Sequence, residues 1–353
     1  YRNNRATIKL RGLYKMKKII IFILITALMI LSCKEVPTDV NTSPDNNNSS
    51  NTGDNNNGEN NDNISTVTQE ELDKYGIDID SATTEKVKEA LNMYYQDKGE
   101  YKLILKGTST KTYNGRKNGD TIAGMVENTK IKNVIVSSEN VKFINNKIPD
   151  CLFWGEQNYN TSIAKIIIPN TITEIGKDAF DCHILTNLNI PKNLVTVRSN
   201  AVYGIQMKKL ELPETLTYID DRGFYASQQL EEIYIPDSVT YMGVSAFGSC
   251  INVKKIHIPN NLEILNDTVF ENCPLLKNIT IPASVKEIKK YAFHMAQSLT
   301  TVTFLSPTPP IIARNAFNYC SNLKTINVPK ESKTLYEQLK DNGIPGAAKI
   351  IEY

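Results

Sequence analysis

The side chains best suited to chemistry are few: six cysteines and three histidines. One recurring slot takes most of the thiols. Cys250, Cys273 and Cys320 each lie three residues after a phenylalanine, Cys182 lies two after one, and Cys151 reads as the same place in an earlier, irregular copy. Such a set could form disulfides or hold a metal, yet there is no Cys-x-x-Cys and five thiols leave one unpaired. A small, half-polar side chain buried once per repeat accounts for all five. A disulfide between neighbouring copies, such as Cys250 to Cys273, stays open. His183 and His294 fall in non-equivalent slots, and His257 alternates outward on a strand. No histidine shares a repeat face with a cysteine or with a serine–acid pair, and HExxH, phosphate-loop and GxGxxG motifs are lacking. The expectation is a non-enzymatic protein with no catalytic residue, no metal site and no cofactor. The sixth thiol, Cys33, stands apart from this pattern.

What must position these residues is uneven along the chain. The net charge of +2 hides an asymmetry: residues 1–32 hold seven basic groups and no acid, leaving 33 basic against 38 acidic groups, a net charge of −5, in the remainder. That argues against a nucleic-acid partner, which would need a basic face. Met16-Lys17-Lys18 precedes Ile19–Leu31, which is apolar except for Thr26. The run is too short for a spanning helix of ~20 residues and suits the core of a signal peptide. Ile30-Leu31-Ser32-Cys33 then resembles a bacterial lipobox, which implies cleavage before Cys33, a thioether lipid on its sulfur and attachment to a membrane through that lipid. Residues 1–15 have no signal-peptide logic and read as upstream sequence, with 16–32 as the signal peptide. Between Asn41 and Asn63, 11 of 23 residues are Asn and none is apolar. Such a segment has too little to bury to offset its ordering entropy, so 33–64 reads as a lipidated cysteine on a disordered tether.

From 65 to 130 the pattern is that of a small α/β cap. Val87, Leu91, Tyr94 and Tyr95 have helical spacing, with Thr83 or Thr84 to cap the start and Gly99 to end it. Tyr101–Leu105 alternates like a strand, and Asp120 is placed to cap a second helix through Ile122, Met125 and Val126. A repeat then takes over. Pro169, Pro191, Pro213, Pro236, Pro259 and Pro282 close apolar-x-apolar triplets at steps of 22 or 23 residues. Eleven residues after most of them comes a phenylalanine (Phe180, Phe224, Phe247, Phe270, Phe293), with Val202 in a weak copy and Phe317 one residue late. A second apolar pair, such as Val239/Met242 or Leu262/Leu265, turns the chain back between these landmarks. A sustained period of this length predicts a solenoid, in which neighbouring coils bury what one coil cannot. The triplet is a short strand ended by proline, and the phenylalanine is core. The solenoid is expected over 131–328, opening on Val134-Ile135-Val136. A cap is expected over 329–353, with Leu335 and Leu339 on a helix and Ala348–Tyr353 as a last strand.

The residues Ile-x-Ile-Pro, Val/Leu-x-x-Ile and Ala-Phe followed by Cys resemble the BspA-like leucine-rich repeats of bacterial surface proteins. The resemblance implies a right-handed leucine-rich-repeat solenoid, mainly β or α/β, exported and displayed, and engaged in adhesion or host-protein binding. The outward strand positions are the candidate contact surface: Ile167, Glu211, Tyr234, His257, Thr280 and Thr303. Exposed aromatics such as Tyr234 favour a protein partner, and good strand formers on a solvated sheet account for the same residues. The leading reading is a surface-displayed adhesin of the bacterial envelope, and the alternative is a periplasm-facing lipoprotein that holds an envelope assembly together.

Overall fold

The computed structural model describes residues 67–113, 119–155, 162–180 and 185–353. Cys33, the signal peptide, the tether, Cys182 and His183 lie outside the described residues.

The cap begins with helix α1 (Gln69–Tyr75), strand β1 (Ile77–Asp78), helix α2 (Thr84–Lys98) and strand β2 (Lys102–Ser109). Helix α1 starts on a reciprocal capping box: Thr68 Oγ1 accepts from the Glu71 amide at 3.1 Å and Glu71 Oε2 accepts from the Thr68 amide at 3.0 Å. Helix α2 starts on Thr83 and ends on Gly99 in the left-handed region (φ 75°), the two residues its sequence singles out. Helix α3 (Ile122–Thr129) differs from expectation. Its cap is Thr121, whose Oγ1 takes the Gly124 amide at 2.9 Å, and not Asp120. Thr121 Oγ1 also donates to the Trp154 carbonyl at 2.7 Å, a buried tie that the more exposed Asp120 does not make.

Strand β2 pairs in parallel with β3 (Val134–Phe143), and β3 pairs with Ile163–Ile167, so the cap's sheet runs on into the solenoid without a break. Within residues 64–353, which cluster as one unit, the coils are carried by two faces of parallel strands, the first and second sheets, each with an interrupted ladder. The first is interrupted after Asn187–Leu188 and between Lys255–His257 and Asn278–Ile281, the second between Tyr241–Met242 and Ile264–Leu265. The first sheet uses the triplets ended by proline. The second uses two-residue strands from the returning pair, among them Glu174–Ile175, Thr196–Val197, Tyr218–Ile219, Tyr241–Met242, Ile264–Leu265 and Glu287–Ile288. Its inner residues (Ile175, Val197, Ile219, Met242, Leu265, Ile288) are all fully buried.

The corner after the second sheet is equally regular. Phe153, Phe180, Phe224, Phe247, Phe270 and Phe293 are fully buried. Rings stack coil on coil, with centroids 5.2 Å apart for Phe153–Phe180 and Phe224–Phe247, and 5.3 Å for Phe293–Phe317. Val202 interrupts the stack. The backbone does not break there: each corner amide, from Phe153 through Val202 to Phe293, donates to a carbonyl of the next coil at 2.9–3.0 Å. Two residues before the ring, the chain is left-handed in the six coils from Phe180 to Phe293, at Asp178, Asn200, Arg222, Ser245, Thr268 and Tyr291 (φ 52–60°), and not in the coil of Phe317. A threonine and an arginine in that region carry a conformational cost, met here by the cross-coil bonds that all these amides except Tyr291 donate.

This frame corrects the reading of Cys151. Phe153 stacks on Phe180, so Phe153 is the ring of the opening coil, and Cys151 sits two residues before it in the left-handed slot (φ 60°). The irregular spacing of the opening copy hid that register. At the far end, helix α4 (Lys333–Glu337) is shorter than expected: it buries Tyr336 completely and leaves Leu335 exposed, while Leu339 lies beyond it and packs half-buried against the core. The Tyr336 hydroxyl donates to the Ser306 carbonyl at 2.8 Å, which orients the helix on the Ser306–Pro310 loop. The last strand, Lys349–Glu352, continues the first sheet in register with Thr325–Val328.

Candidate functional site

The outward residues of the first sheet do not form one uninterrupted face. Ile167 is only 3% exposed although its side chain stands outside the main core cluster. Strand β3 extends to Phe143, well past the usual triplet, and flanks Ile167 through Ser137, while Ser138 Oγ donates to the Ile167 carbonyl at 3.0 Å. On the other side the Asn189 carboxamide takes both the amide and the carbonyl of Ile168, at 2.8 and 2.9 Å. Ile167 is therefore structural and not a contact residue. Glu211 is exposed, but Leu210-Glu211-Leu212 is not a strand. Among the described residues this segment makes no main-chain hydrogen bond to either neighbouring coil. The inward–outward alternation survives without the ladder, because Leu210 and Leu212 remain buried and Glu211 pairs with Lys209 at 2.5 Å.

Tyr234 and His257 are brought together. The strands Glu232–Tyr234 and Lys255–His257 pair in parallel with Tyr234 opposite His257. The two rings stack at 4.6 Å and 8°. Tyr234 is 55% exposed. Below the stack, His257 Nε2 lies 3.6 Å from Asp237 Oδ1 and has no hydrogen-bond partner. Asp237 is held below the usual carboxylate range chiefly by the Asn260 amide at 2.7 Å and the Asn260 carboxamide at 3.0 Å, with His257 adding to it. Thr280 and Thr303 lie in register with each other on the following coils; Thr280 is exposed, and Thr303 Oγ1 accepts from Asn327 Nδ2 at 3.2 Å.

The thiols are ill suited to reaction. Cys250, Cys273 and Cys320 are free and buried, and their sulfurs donate to the carbonyls of Phe224, Phe247 and Phe293 one coil back, at 3.7, 3.8 and 3.1 Å. Burial pushes the Cys273 and Cys320 thiols up to about 12, and Cys250 rises for the same reason. At neutral pH all three stay protonated, whereas nucleophilic attack needs the thiolate. Among the described residues, no three His, Cys, Asp or Glu side chains are grouped to hold a metal ion.

The sequence reading missed the outer row of the second sheet. One residue per coil points out beside each buried partner. Tyr218 and Tyr241 stack at 4.6 Å and 8°, Ile264 follows, and Ile311 is 73% exposed. The signal lay in the residue just before Met242, Leu265 and Ile312, but strands of two residues are too short to show alternation. Toward the opening coil the same row is charged. Glu174 meets Arg198 at 2.8 Å and Lys147 at 3.2 Å, and its side chain is only 22% exposed. The Arg198 hydrogen bond, with Lys147 behind it, holds the Glu174 carboxyl below its ordinary value. A lowered carboxyl stabilises the fold above the unfolded pKa, and the stabilisation is lost as pH falls through the folded pKa. Glu174→Gln is therefore expected to lower the melting temperature at pH 7 by an amount worth up to about 1 kcal/mol. The difference from wild type should shrink as the pH falls through the lowered pKa of Glu174, and thermal melts across an acid pH series check it.

Stacked coils, two faces of parallel strands and a ladder of buried rings define a repeat-solenoid protein. The family model for the BspA type leucine rich repeat region, in six copies, matches residues 146–275 and 263–339, more than half of the chain. The chain belongs to this family of BspA-type leucine-rich repeat proteins. Among solved structures it is similar to the T. pallidum leucine-rich repeat protein TpLRR, with 19% identity over 62% of this chain and 88% of that one (TM-score 0.41). A leucine-rich repeat protein from Bacteroides ovatus shares 18% identity over 59% and 87% of the two chains (TM-score 0.37). A leucine rich cell surface protein from Faecalibacterium prausnitzii shares 16% over 60% and 82% (TM-score 0.33). No curated protein gives a match.

Proposed function

We propose that this protein is displayed on the bacterial envelope by a lipid on Cys33 and works there as a non-enzymatic adhesion module. In this reading the first-sheet face around Tyr234 and His257 contacts a partner protein, of a host or of the envelope itself. The supporting observation is the Tyr234–His257 stack: a large, exposed ring fixed by its neighbour on paired strands. Such a ring offers apolar contact area at little further entropic cost, as interface anchors do. Thr280 extends the face along the next coil.

Replacing both Tyr234 and His257 with alanine tests the site. Partner capture from host and envelope extracts should fall by about tenfold or more, while the urea midpoint barely moves because both side chains point outward. Unchanged affinity places the contact elsewhere. The anchor is tested apart from the face: Cys33→Ala should move the protein from the membrane pellet to the soluble fraction, and a variant that stays in the pellet refutes the lipid. Protease treatment of intact cells should remove the wild-type protein. Survival of the protein would favour a periplasm-facing role.

A further inference from the structure

The second sheet presents a face with its own chemistry, independent of the binding reading above. Its centre is apolar on one coil, with Tyr241, Gly243 and Val244, and Tyr218 stacks on Tyr241 from the coil before; on the coil after, Ile264 continues the row and Asp267 takes the Val244 position, its Oδ1 held by the Lys290 amide at 2.9 Å. Tyr241, Val244 and Ile264 are each more than a third exposed. The flanks carry opposite charge. Asp220 and Asp221 stand on the coil of Tyr218, one before Tyr241. Lys289 and Lys290 stand at the equivalent positions of the coil of Glu287, two after Tyr241. The acids are fixed by main-chain donors, Asp220 Oδ1 by the Asp221 amide at 2.8 Å and Asp221 Oδ1 by the Val244 amide at 2.7 Å. Lys289 Nζ is steadied on Asn266 Oδ1 at 3.0 Å.

We propose that this face pairs with the same face of a second copy of the chain. The two-fold axis lies parallel to the strands, between the rows of Tyr241 and Ile264. Such an axis reverses the order of the coils, so Tyr241 of each copy meets Ile264 of the other. The coil of Tyr218 then meets the coil of Glu287. Asp220 and Asp221 of one copy face Lys289 and Lys290 of the other, and the contact occurs twice, as a two-fold interface requires. With coils ~4.8 Å apart, the acidic and basic coils of one chain are roughly 14 Å apart. The apolar centre fits between the two ionic clusters, the arrangement of an interface with an apolar core and a polar rim. The charges also set the orientation. Stacking without the reversal would place Asp220 and Asp221 against their own copies and Lys289 and Lys290 against theirs, which like-charge repulsion opposes. Glu287 falls opposite Tyr218 and Asp267 opposite Val244, so neither meets a like charge across the axis, and Lys286 is already held by Glu263.

Sedimentation equilibrium of the full chain in non-ionic detergent, with a charge swap, tests the arrangement. Wild type should dimerise. Asp220→Lys with Asp221→Lys should raise the dimer dissociation constant by at least about tenfold, and so should Lys289→Glu with Lys290→Glu. Mixing the two double variants should restore the dimer, because each then offers the other the missing sign. Tyr241→Lys gives a second reading that leaves the charged flanks intact, and it should also be monomeric, with circular dichroism unchanged. A wild type that is monomeric at every concentration reached overturns the proposal. So does a dimer indifferent to the swaps and to Tyr241→Lys, or a pair of swapped variants that fail to rescue each other.

Discussion

Phe247→Ala should destabilise the solenoid by ~3–5 kcal/mol, read as a lower urea midpoint with an unchanged denaturant slope. Phe247 is fully buried, with Phe224 5.2 Å away on one side and Phe270 6.2 Å away on the other. Its removal leaves a hole between two coils whose spacing is fixed by other bonds. The Phe224 amide donates to the Ala246 carbonyl at 2.9 Å and the Phe247 amide donates to the Val269 carbonyl at 3.0 Å. Those bonds hold the corner open, so the neighbouring rings cannot close in, and the cavity cost adds to the lost burial. The natural Val202 marks what a smaller rung needs: Val202 and Ile205 are both fully buried there, so a second apolar side chain shares the filling. The Phe247 coil has Cys250 in the slot that Ile205 takes in the Val202 coil, a smaller group already tied to the Phe224 carbonyl. A cost below about 1 kcal/mol would show that the corner collapses after all and that the cross-coil bonds do not fix its spacing.

The rings, the period and the ends of helix α2 were legible because each rests on local chemistry. A phenylalanine recurring at steps of 23 or 24 residues from Phe224 to Phe317 needs no knowledge of its neighbours, and Thr83 and Gly99 cap a helix by their own side-chain and backbone preferences. The misreadings share the opposite property. Ile167 sits on the outer face by alternation, and its burial comes from the unusual length of β3 on the adjacent coil. Cys151 was misplaced because the opening copy lacks the proline that sets the register elsewhere. Leu335 and Tyr336 are both apolar neighbours on one short helix, and the choice between them is made by the Ser306 carbonyl some thirty residues earlier. The aromatic row of the second sheet was overlooked for a different reason. Two residues per strand carry no period, so Tyr218 and Tyr241 look like isolated loop tyrosines until the coils are stacked. Of the candidate face itself, the chain order identified Tyr234 and His257 and their equivalent positions, while the stacking geometry that makes them one feature is a property of the coil register.

Hydrogen exchange should single out the backbone of Leu210–Leu212. These residues have the apolar-x-apolar triplet and the closing Pro213 of an ordinary copy, yet they make no ladder bond to the coils on either side. Exchange through local fluctuation needs little opening where no bond has to break, whereas a doubly paired strand opens only with its neighbours. Val302 lies between Ile279 and Ile326 in register and is fully buried. The amides of Leu210 and Leu212 should therefore exchange on the order of 10³-fold or more faster than that of Val302, a ratio set by a global stability of at least ~5 kcal/mol. The fast segment should be narrow. Thr196–Val197, Tyr218–Ile219 and Tyr241–Met242 are paired in series on the second sheet, and the corner bonds from Val202 to Gly223 and from Phe224 to Ala246 are intact. Two of the three ladders thus cross the gap, and the amide of Ile219 should stay slow. If Ile219 exchanged as fast as Leu210, the coil would be opening as a whole. The solenoid would then behave as two separately unfolding halves, the outcome nearest-neighbour coupling allows when one interface between repeats is weak. Slow exchange at Leu210 and Leu212 would show instead that burial alone protects the segment, and that the missing ladder leaves the first sheet as firm there as elsewhere.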